Sequence, residues 1–361
     1  MNQPSDRNIY EQLKNDVHRI AVHSGNLIVG DTVMLNPLVR SLKDSFPDVP
    51  IDYIGYVQLF VANFVRRVLP VNDFIKLELK KNIISAAAEF FPAILELRRR
   101  EYDLIIDNQF IAINTLILKL SRKRWLLSQC GGGFLSDLQV PAKANLPKHI
   151  IDRSIAPLRH IGLPYVYDKP LIKIENSERT LIDRVLEING FSPNLSVIGV
   201  APYSGHEIKN WQIANFIELL KILSDRGFGK YIIFTSANQL ERAKSDFRTS
   251  NLDIGFSIEL LPESQDINNV LPLLARMNLF IANDSGLAHV SSALGVPTIA
   301  IFGPTSPLKF APRGEKVKII YLSSSCSPCD IYKPCVYNKQ CFHEITPEIV
   351  FIESIKLIES S

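Results

Sequence analysis

One stretch near the C-terminal end, residues 279–307, constrains the fold more than any other part of the chain. The apolar run from Leu279 to Ala282 is short enough for a buried strand, and turn residues and a short predicted helix follow it. Gly295-Val296-Pro297 ends that helix before a second apolar run begins at Thr298. This order of strand, helix and strand predicts a βαβ unit in a parallel sheet.

Polar residues follow the first strand of this unit. Open parallel sheets usually bind ligands at this position, beyond the carboxyl ends of their strands. Asp284 and Ser285 precede the predicted helix and Gly286 opens it, so that free helix N–H groups are available to an anion. His289 shares one helix face with Ser285, four positions earlier. The structural alternative is that Asp284 and Ser285 only cap the helix, and that His289 is an ordinary partly buried histidine.

Length and composition predict two globular domains. A chain of 361 residues exceeds what one core usually supports, and 46% hydrophobic with 21% charged residues is ordinary globular composition. The first twenty residues are too polar for a signal peptide, and glycines and prolines interrupt the longest uncharged stretch, which follows His289. We therefore expect a cytosolic protein without a transmembrane helix.

The net charge of +3 does not favour a nucleic-acid partner. Positive charge is concentrated in residues 1–170, which hold 22 Lys and Arg against 17 Asp and Glu. Much of it lies in four short clusters: Arg66-Arg67, Lys80-Lys81, Arg98-Arg99-Arg100 and Arg122-Lys123-Arg124. Such clusters suit a phosphorylated acceptor or an anionic membrane surface, and they are also common as solvated helix ends.

Apolar runs and helical patterns alternate along the chain, which predicts a parallel sheet covered on both faces in each half. The first strand is predicted at His18–His23 and is followed by a helical pattern that contains Pro37. Asp31 then lies at a strand-to-helix corner. An interior proline lacks the N–H and clashes with the preceding turn, so this helix is expected to start late or to kink at Pro37.

A polar region punctuated by prolines, residues 165–194, separates the two halves. The second alternation begins with a strand at Val197–Ala201 and includes predicted helices over 213–225 and 267–277. Thr346-Pro347-Glu348 supplies an N-cap, a proline at the first helical position and an acid in the first turn, which predicts a final helix.

Six motifs occur in a consistent order and together resemble glycosyltransferase family nine, the ADP-heptose:lipopolysaccharide heptosyltransferases. They are Gly30-Asp31 before an apolar helix with Pro37, Arg100 to Asp103 before a strand, Lys209-Asn210-Trp211, NDSGLAH at 283–289, FGPTSP at 302–307 and a cysteine-rich tail. The resemblance implies an α/β fold of GT-B architecture, with two facing Rossmann-like domains. It also implies an inverting, metal-independent transfer.

The domains implied by the resemblance are an acceptor domain at 1–175 and a donor domain at 176–345, which includes a Cys-rich loop at 323–342. A C-terminal helix at 346–361 completes the chain. Asp31 matches the catalytic aspartate of the family, and its alternative role is that of a helix N-cap. Lys209 matches the lysine that meets the donor diphosphate, although a lone lysine is usually a surface residue.

The remaining donor-site residues are also implied by the resemblance. Asp284, Ser285 and Gly286 match the donor loop, and Ser204 stands where members of the family carry a pair of hydroxyl residues. His289 and Thr305 complete the predicted site, Thr305 with a plain turn as its alternative.

Four of the five cysteines form a C-x2-C-x5-C-x5-C cluster: Cys326, Cys329, Cys335 and Cys341. Four thiols suffice for a tetrahedral zinc or iron site, and the resemblance includes members that bind iron in such a cluster. Disulfides are disfavoured in a reducing cytosol, so the competing interpretation is free cysteines in a loop. No organic cofactor is expected.

The resulting hypothesis is a glycosyltransferase that moves a heptose or a similar sugar from an ADP-sugar to a lipopolysaccharide-core or protein acceptor. It would be cytoplasmic or peripheral on the inner membrane. The alternative is a non-catalytic sugar-nucleotide or metal-binding interaction protein of the same fold, which would be expected to lack Asp31. A Rossmann-type oxidoreductase is disfavoured because neither half begins with a strand-linked G-x-G-x-x-G.

Overall fold

The computed structural model describes residues 7–58, 61–76, 83–130, 133–138, 140, 147–188, 190–191, 196–228, 230–248, 252, 254–259, 266–329 and 331–360. The chain divides into two compact units, Met1–Pro170 and Leu171–Ser361. This boundary lies slightly before the one expected at 175, and the C-terminal helix belongs to the second unit rather than standing apart.

The first unit is built on a five-stranded parallel sheet with the strand order β3-β2-β1-β4-β5. Its strands are β1 (Ile20–Leu27), β2 (Ile51–Val57), β3 (Phe74–Lys76), β4 (Leu104–Asp107) and β5 (Trp125–Ser128). Its helices are α1 (Arg7–Asp16), α2 (Val29–Ser45), α3 (Ala62–Val68), α4 (Ile83–Arg99), α5 (Ala112–Ser121) and α6 (Ile150–His160).

The second unit holds a six-stranded parallel sheet with the order β11-β10-β9-β6-β7-β8. Its strands are β6 (Val197–Ala201), β7 (Lys230–Thr235), β8 (Ile254–Glu259), β9 (Leu279–Asn283), β10 (Thr298–Ile301) and β11 (Val317–Ile320). Its helices are α7 (Asn176–Ile188), α8 (Ile213–Asp225), α9 (Leu240–Phe247), α10 (Leu271–Leu274), α11 (Gly286–Ala293), α12 (Pro307–Phe310) and α13 (Pro347–Glu359).

Burial explains why the central strands read as continuous apolar runs. Every residue of β4, β6, β9 and β10 is buried, as expected for strands that helices cover on both faces. Helix α8 buries Phe216, Leu219, Leu220 and Leu223, whose spacing places them on one helical face against the sheet.

The predicted βαβ unit is confirmed, because β9 leads through α11 to β10 and the two strands pair in parallel. The α/β fold class with a parallel sheet in each half is confirmed as well. Among the described residues, no helix combines the length and the apolar character that crossing a membrane requires.

One local prediction is wrong. Residues 267–277 do not form one helix; they form a 3₁₀ turn, Ile267–Asn269, and the single-turn helix α10. Pro272 occupies the start of α10, and a proline lacks the N–H that would continue a helix from the preceding turn.

The helix that contains Pro37 was expected to start late or to kink there. Helix α2 begins at Val29 and includes Pro37, so the late start is excluded and the kink stays a prediction.

Gly303, just after β10, lies against Phe342, which comes from the cysteine-rich segment before the last helix. A Cβ at this position would lie 2.3 Å from Cζ of the buried ring of Phe342. We therefore expect Gly303→Ala to lower the free energy of unfolding by about 1 to 3 kcal/mol, as overpacking typically does. Thermal or urea denaturation followed by circular dichroism measures this loss.

Gly205→Ala is the matched control, because a Cβ at Gly205 would meet nothing within 4 Å. Equal stabilities of the two variants would show that Phe342 does not press on Gly303.

Candidate active site

The loops that follow three adjacent strands of the second unit meet at one carboxylate. Lys209 follows β6, Asp284 follows β9 and Thr305 follows β10. The ammonium of Lys209 lies 2.7 Å from Oδ2 of Asp284, and the Thr305 hydroxyl donates to the same oxygen at 2.6 Å. The side chains of Lys209 and Asp284 are only 15% and 7% exposed, so this ion pair is largely screened from water.

Asn283 and Asn210 hold the Lys209 loop in place. The Asn283 carboxamide donates to the carbonyl of Pro202 at 2.7 Å and accepts from the N–H of Trp211 at 2.9 Å. The Asn210 side chain accepts from the N–H of Ser204 at 2.7 Å. The Ser204 hydroxyl lies within 2.9 Å of Asn210 Oδ1 and within 2.7 Å of the His206 carbonyl, so it braces the loop from inside.

The N-terminus of α11 lies directly beside this ion pair. Ser285 is the N-cap residue by position, but its side chain makes no cap hydrogen bond, so capping does not explain its hydroxyl. That hydroxyl is buried and finds no partner among the residues that the structure describes. Gly286 opens the helix and His289 is buried one turn further on. A helix N-terminus next to an ammonium group is a suitable place for an anion.

The cysteine-rich segment that precedes α13, here called the C-terminal tail, contacts the loops that carry Lys209 and Thr305. Lys339 Nζ donates to the carbonyls of Glu207 at 2.8 Å and Asn210 at 3.2 Å, which flank Lys209 in the sequence. The N–H of Cys329 donates to the carbonyl of Pro304 at 2.9 Å, next to Thr305. The backbone of Lys339 is left-handed, with φ 53°, a conformation that non-glycine residues adopt at some cost.

The four tail cysteines lie near one another. Burial, followed by the neighbouring thiols of Cys326, Cys329 and Cys335, raises the pKa of the Cys341 thiol to about 12. The N–H of Lys339 lies 3.2 Å from Sγ of Cys335. Across the described ranges, however, no three His, Cys, Asp or Glu side chains are placed to hold a metal ion. The predicted metal site therefore stays a prediction.

Asp31 belongs to a separate cavity in the first unit, of about 390 Å³. The N-cap residue of α2 is Ile28, so Asp31 stands in the first turn and is not an N-cap. The cavity is lined by residues of β1, α2, α6 and the loop between β4 and α5: Ser24, Asn26, Asp31, Met34, Leu35, Asn108, Gln109, Phe110, Ile111, Ile150 and Ser154. One carboxylate among amides and hydroxyls is a lining suited to a polyhydroxylated ligand.

Asp107, at the end of β4, fixes the polar wall of this cavity. Its carboxylate lies 2.9 Å from Nδ1 of the buried His23 and accepts from the hydroxyls of Thr115 at 2.6 Å and Ser128 at 2.9 Å. It also accepts from the N–H of Gln109 at 3.1 Å. These bonds set the direction of the Asn108-Gln109 loop, because the carboxylate oxygens are shared among groups from β1, β5 and α5.

Two further residues shape the surroundings of Asp31. The strand β1 carries a bulge between His23 and Gly25, and the Tyr53 hydroxyl donates to the carbonyl of Gly25 at 2.5 Å. Gly25 has φ 70°, a conformation that favours glycine, and a Cβ there would lie 1.6 Å from Nε2 of Gln109, so that the Gln109 side chain would have to move. Burial, and then the Asp31 carboxylate, raises the pKa of Tyr53, which keeps its hydroxyl protonated.

The structure thus joins Lys209, Asp284 and Thr305 directly, with Ser204 in the Lys209 loop and Ser285, Gly286 and His289 in or next to α11. Sequence reasoning missed the residues that position both sites. Asn210, Asn283 and Lys339 hold the Lys209 loop, and Tyr53 and Asp107 shape the surroundings of Asp31. The signal available for Asn283 was its place at the end of a buried strand, where the chain keeps a polar side chain with 0% exposure. Such a side chain must be hydrogen-bonded.

Comparison with known proteins agrees with this arrangement. The E. coli K12 protein lipopolysaccharide heptosyltransferase 2 is 25% identical to the chain over 307 residues, which cover 81% of this chain and 85% of that protein.

Solved structures match the fold across nearly the whole chain. The structure of E. coli ADP-heptose lps heptosyltransferase II matches with a TM-score of 0.67 and 23% identity, covering 95% of this chain and 99% of that one. The glycosyl transferase family 9 structure from Veillonella parvula DSM 2008 matches with a TM-score of 0.74 and 18% identity, covering 96% and 98%. These likenesses establish the GT-B type of fold.

Residues 93–340 match the sequence model of glycosyltransferase family 9 (heptosyltransferase). This match spans more than half of the 361 residues and includes the Lys209 loop, the Asp284 turn and the Thr305 loop. The chain therefore belongs to glycosyltransferase family 9, the heptosyltransferase family.

Proposed function

We propose that the protein transfers a heptose or a similar sugar from an ADP-sugar to a lipopolysaccharide-core or protein acceptor, with inversion at the anomeric carbon. The reaction would take place in the cytoplasm or at the cytoplasmic face of the inner membrane. Family membership supports the transfer of a sugar, and the ADP-heptose in the name of the similar E. coli enzyme supports an ADP-sugar donor.

The observation that carries the proposal is the meeting of Lys209, Asp284 and the start of α11. A diphosphate needs a cation and oriented N–H donors together, and the three loops supply both within one small region. In the structure the Lys209 ammonium is paired with the Asp284 carboxylate, so a bound diphosphate would replace part of that interaction. The buried hydroxyl of Ser285 would gain a partner at the same time.

Asp31 supplies the second half of the proposed chemistry. Inverting transfer needs a base that takes the proton from the acceptor hydroxyl as that oxygen attacks the anomeric carbon. The carboxylate of Asp31 lies in a cavity lined by amides and hydroxyls that can bind sugar hydroxyl groups. Asp284 is engaged by Lys209 and Thr305 in the other unit, which makes it a poor candidate for the base. Asp31 is the proposed base because its carboxylate lines this cavity.

We expect Asp31→Asn to lower turnover by about 10² to 10⁴-fold, because general-base catalysis typically contributes that factor. The affinity for ADP should stay nearly unchanged, since Asp31 and Lys209 lie in different units. Steady-state kinetics and calorimetry on the same preparation separate these two effects.

Asp44→Asn, on the same helix α2, is the control and should keep normal turnover. A folded Asp31→Asn protein with full activity would remove Asp31 as the base. A wild-type protein that binds ADP-sugars but transfers nothing would instead support the alternative, a non-catalytic sugar-nucleotide-binding protein.

Lys209→Ala tests the donor site. Loss of a charge-assisted contact to the diphosphate should weaken ADP binding by about 1.5 to 3 kcal/mol, and calorimetry measures the change. Lys221→Ala, at an exposed position on α8, should bind ADP as the wild type does. Unchanged ADP affinity in Lys209→Ala would exclude Lys209 from the site.

We also propose that the four tail cysteines hold one structural zinc or iron ion. The chemistry of the donor set fits, because four thiols can complete a tetrahedral zinc or iron site and the sulfur of Cys335 already accepts a backbone N–H. When bound, the ion would cross-link the tail, and this proposal gives it no part in the transfer reaction.

Elemental analysis of protein purified without added metal should give about one zinc or iron per chain. Cys335→Ser should lose the ion, whereas Cys130→Ser, in the first unit, should keep it. A folded wild-type protein with no metal and four titratable tail thiols would defeat the proposal.

A further inference from the structure

An exposed apolar surface lies on helix α4, on the neighbouring helix α5 and at the residue that precedes α5 in the first unit. Its members, here called the α4–α5 face, are 37% to 72% exposed: Phe91, Leu95, Ile111, Ile113, Leu116 and Leu120. Single exposed hydrophobic residues are common on proteins, but a contiguous set of this size marks an interaction site.

The spacing and packing of the two helices make these residues one surface. Leu95 follows Phe91 by four positions on α4, and Leu116 and Leu120 are four apart on α5, so each pair forms a stripe along its helix. The opposite sides of the helices are buried in the core, through Ile94 and Leu97 of α4 and Ile117 and Leu118 of α5.

Arg98 joins the two stripes. It lies on the exposed side of α4, and its Nε donates to the carbonyl of Leu120 on α5 at 2.8 Å. The two stripes therefore lie side by side and point away from the sheet.

Positive charge accompanies the apolar residues. Arg98 and Arg99 end α4, both are exposed, and neither forms an ion pair with a described residue. The two acids nearest to them in the sequence have other partners, Glu96 being paired with Arg100 and Glu101 with Lys123. Arg124, after the end of α5, is paired with Asp16. The face thus combines exposed apolar side chains with two exposed guanidinium groups.

The α4–α5 face also reaches the Asp31 cavity. Ile111 is 48% exposed on the surface and lines that cavity, and the neighbouring Phe110 does the same. A ligand that is anchored in an apolar layer could therefore present its polar end to Asp31 while its anchor stays beside α5.

We propose that the α4–α5 face docks the protein on the surface of an anionic lipid bilayer and presents a lipid-linked acceptor to the Asp31 cavity. The second part of this inference rests on the proposed transferase function; the docking itself does not. Leucine, isoleucine and phenylalanine side chains enter the boundary between head groups and acyl chains, and arginines bind the anionic head groups. The two exposed arginines also disfavour the rival occupant, a second copy of this face, because like charges would meet.

Vesicle co-sedimentation tests the docking. The full chain is mixed with vesicles of phosphatidylethanolamine and phosphatidylglycerol, or with vesicles of phosphatidylcholine alone, at low and high salt. We expect binding to the anionic vesicles that weakens with salt. Leu95→Ser/Ile113→Ser/Leu116→Ser should reduce the partition coefficient at least tenfold. Arg98→Gln/Arg99→Gln should reduce it about 25-fold on anionic vesicles, from roughly fivefold for each basic residue.

Matched controls remove the same kinds of groups from the second unit. Leu181→Ser/Val185→Ser takes exposed apolar residues from α7, and Lys221→Gln/Lys244→Gln takes exposed charges from α8 and α9. Both should bind vesicles as the wild type does, and circular dichroism checks that all variants are folded.

Failure to bind anionic vesicles, or equal binding by face and control variants, would overturn the proposal. A wild-type dimer in analytical ultracentrifugation that the triple Ser variant converts to a monomer would identify the face as a self-interface instead. Asp31→Asn should bind vesicles normally. If the wild-type protein does not bind vesicles but does transfer sugar to a detergent-solubilised acceptor, the docking alone is refuted. If the wild-type protein binds vesicles but transfers nothing, the transferase function is refuted.

Discussion

The proposed donor site of this protein depends on the ion pair between Lys209 and Asp284. Its two members come from loops that are far apart in the sequence, and Thr305 from a third loop donates to the same carboxylate oxygen. Because both charges are largely buried, removing either one leaves the other uncompensated, at a typical cost of about 3 to 5 kcal/mol. The pair therefore holds three loops together at the start of α11 and keeps an ammonium group ready for an anionic ligand.

The rest of the second unit supports that pair from two sides. From within the sheet, Asn283 ties the Lys209 loop to the end of β9 through two hydrogen bonds. From the tail, Lys339 holds the carbonyls on either side of Lys209, and Cys329 holds the loop that carries Thr305. A cysteine-rich segment in contact with both loops gives a physical reason for cross-linking it with a metal, because a stiffer tail would fix the donor loops more firmly.

Much of the fold could be predicted from the sequence because its central strands are short apolar runs and its helices bury one regular face. The strand Val197–Ala201 and the helix Ile213–Asp225 lie where the pattern places them. The prediction failed at Pro272, where apolar spacing continued past a residue that cannot extend a helix, and it passed over the three-residue strand β3 and the partly exposed β11.

The site was predictable only in part. Asp31, Lys209 and Asp284 belong to sequence motifs, whereas Asn283 and Lys339 act mainly through partners more than 70 positions away. Asp107 joins groups that are 2 to 84 positions away. No local pattern encodes such contacts. The sequence also left open whether Asp284 and Ser285 are caps. Only the structure shows that Asp284 is engaged by Lys209 and that the Ser285 hydroxyl makes no cap bond.

The transfer reaction itself tests the central claim most directly. The purified protein is incubated with ADP-heptose and with a lipopolysaccharide core that lacks its heptoses, or with a candidate protein acceptor, and mass spectrometry follows both acceptor and nucleotide. The account predicts that an acceptor gains a heptosyl group and that one ADP is released for each group transferred. Intact ADP-heptose with every acceptor, from a folded protein that binds ADP, would contradict it.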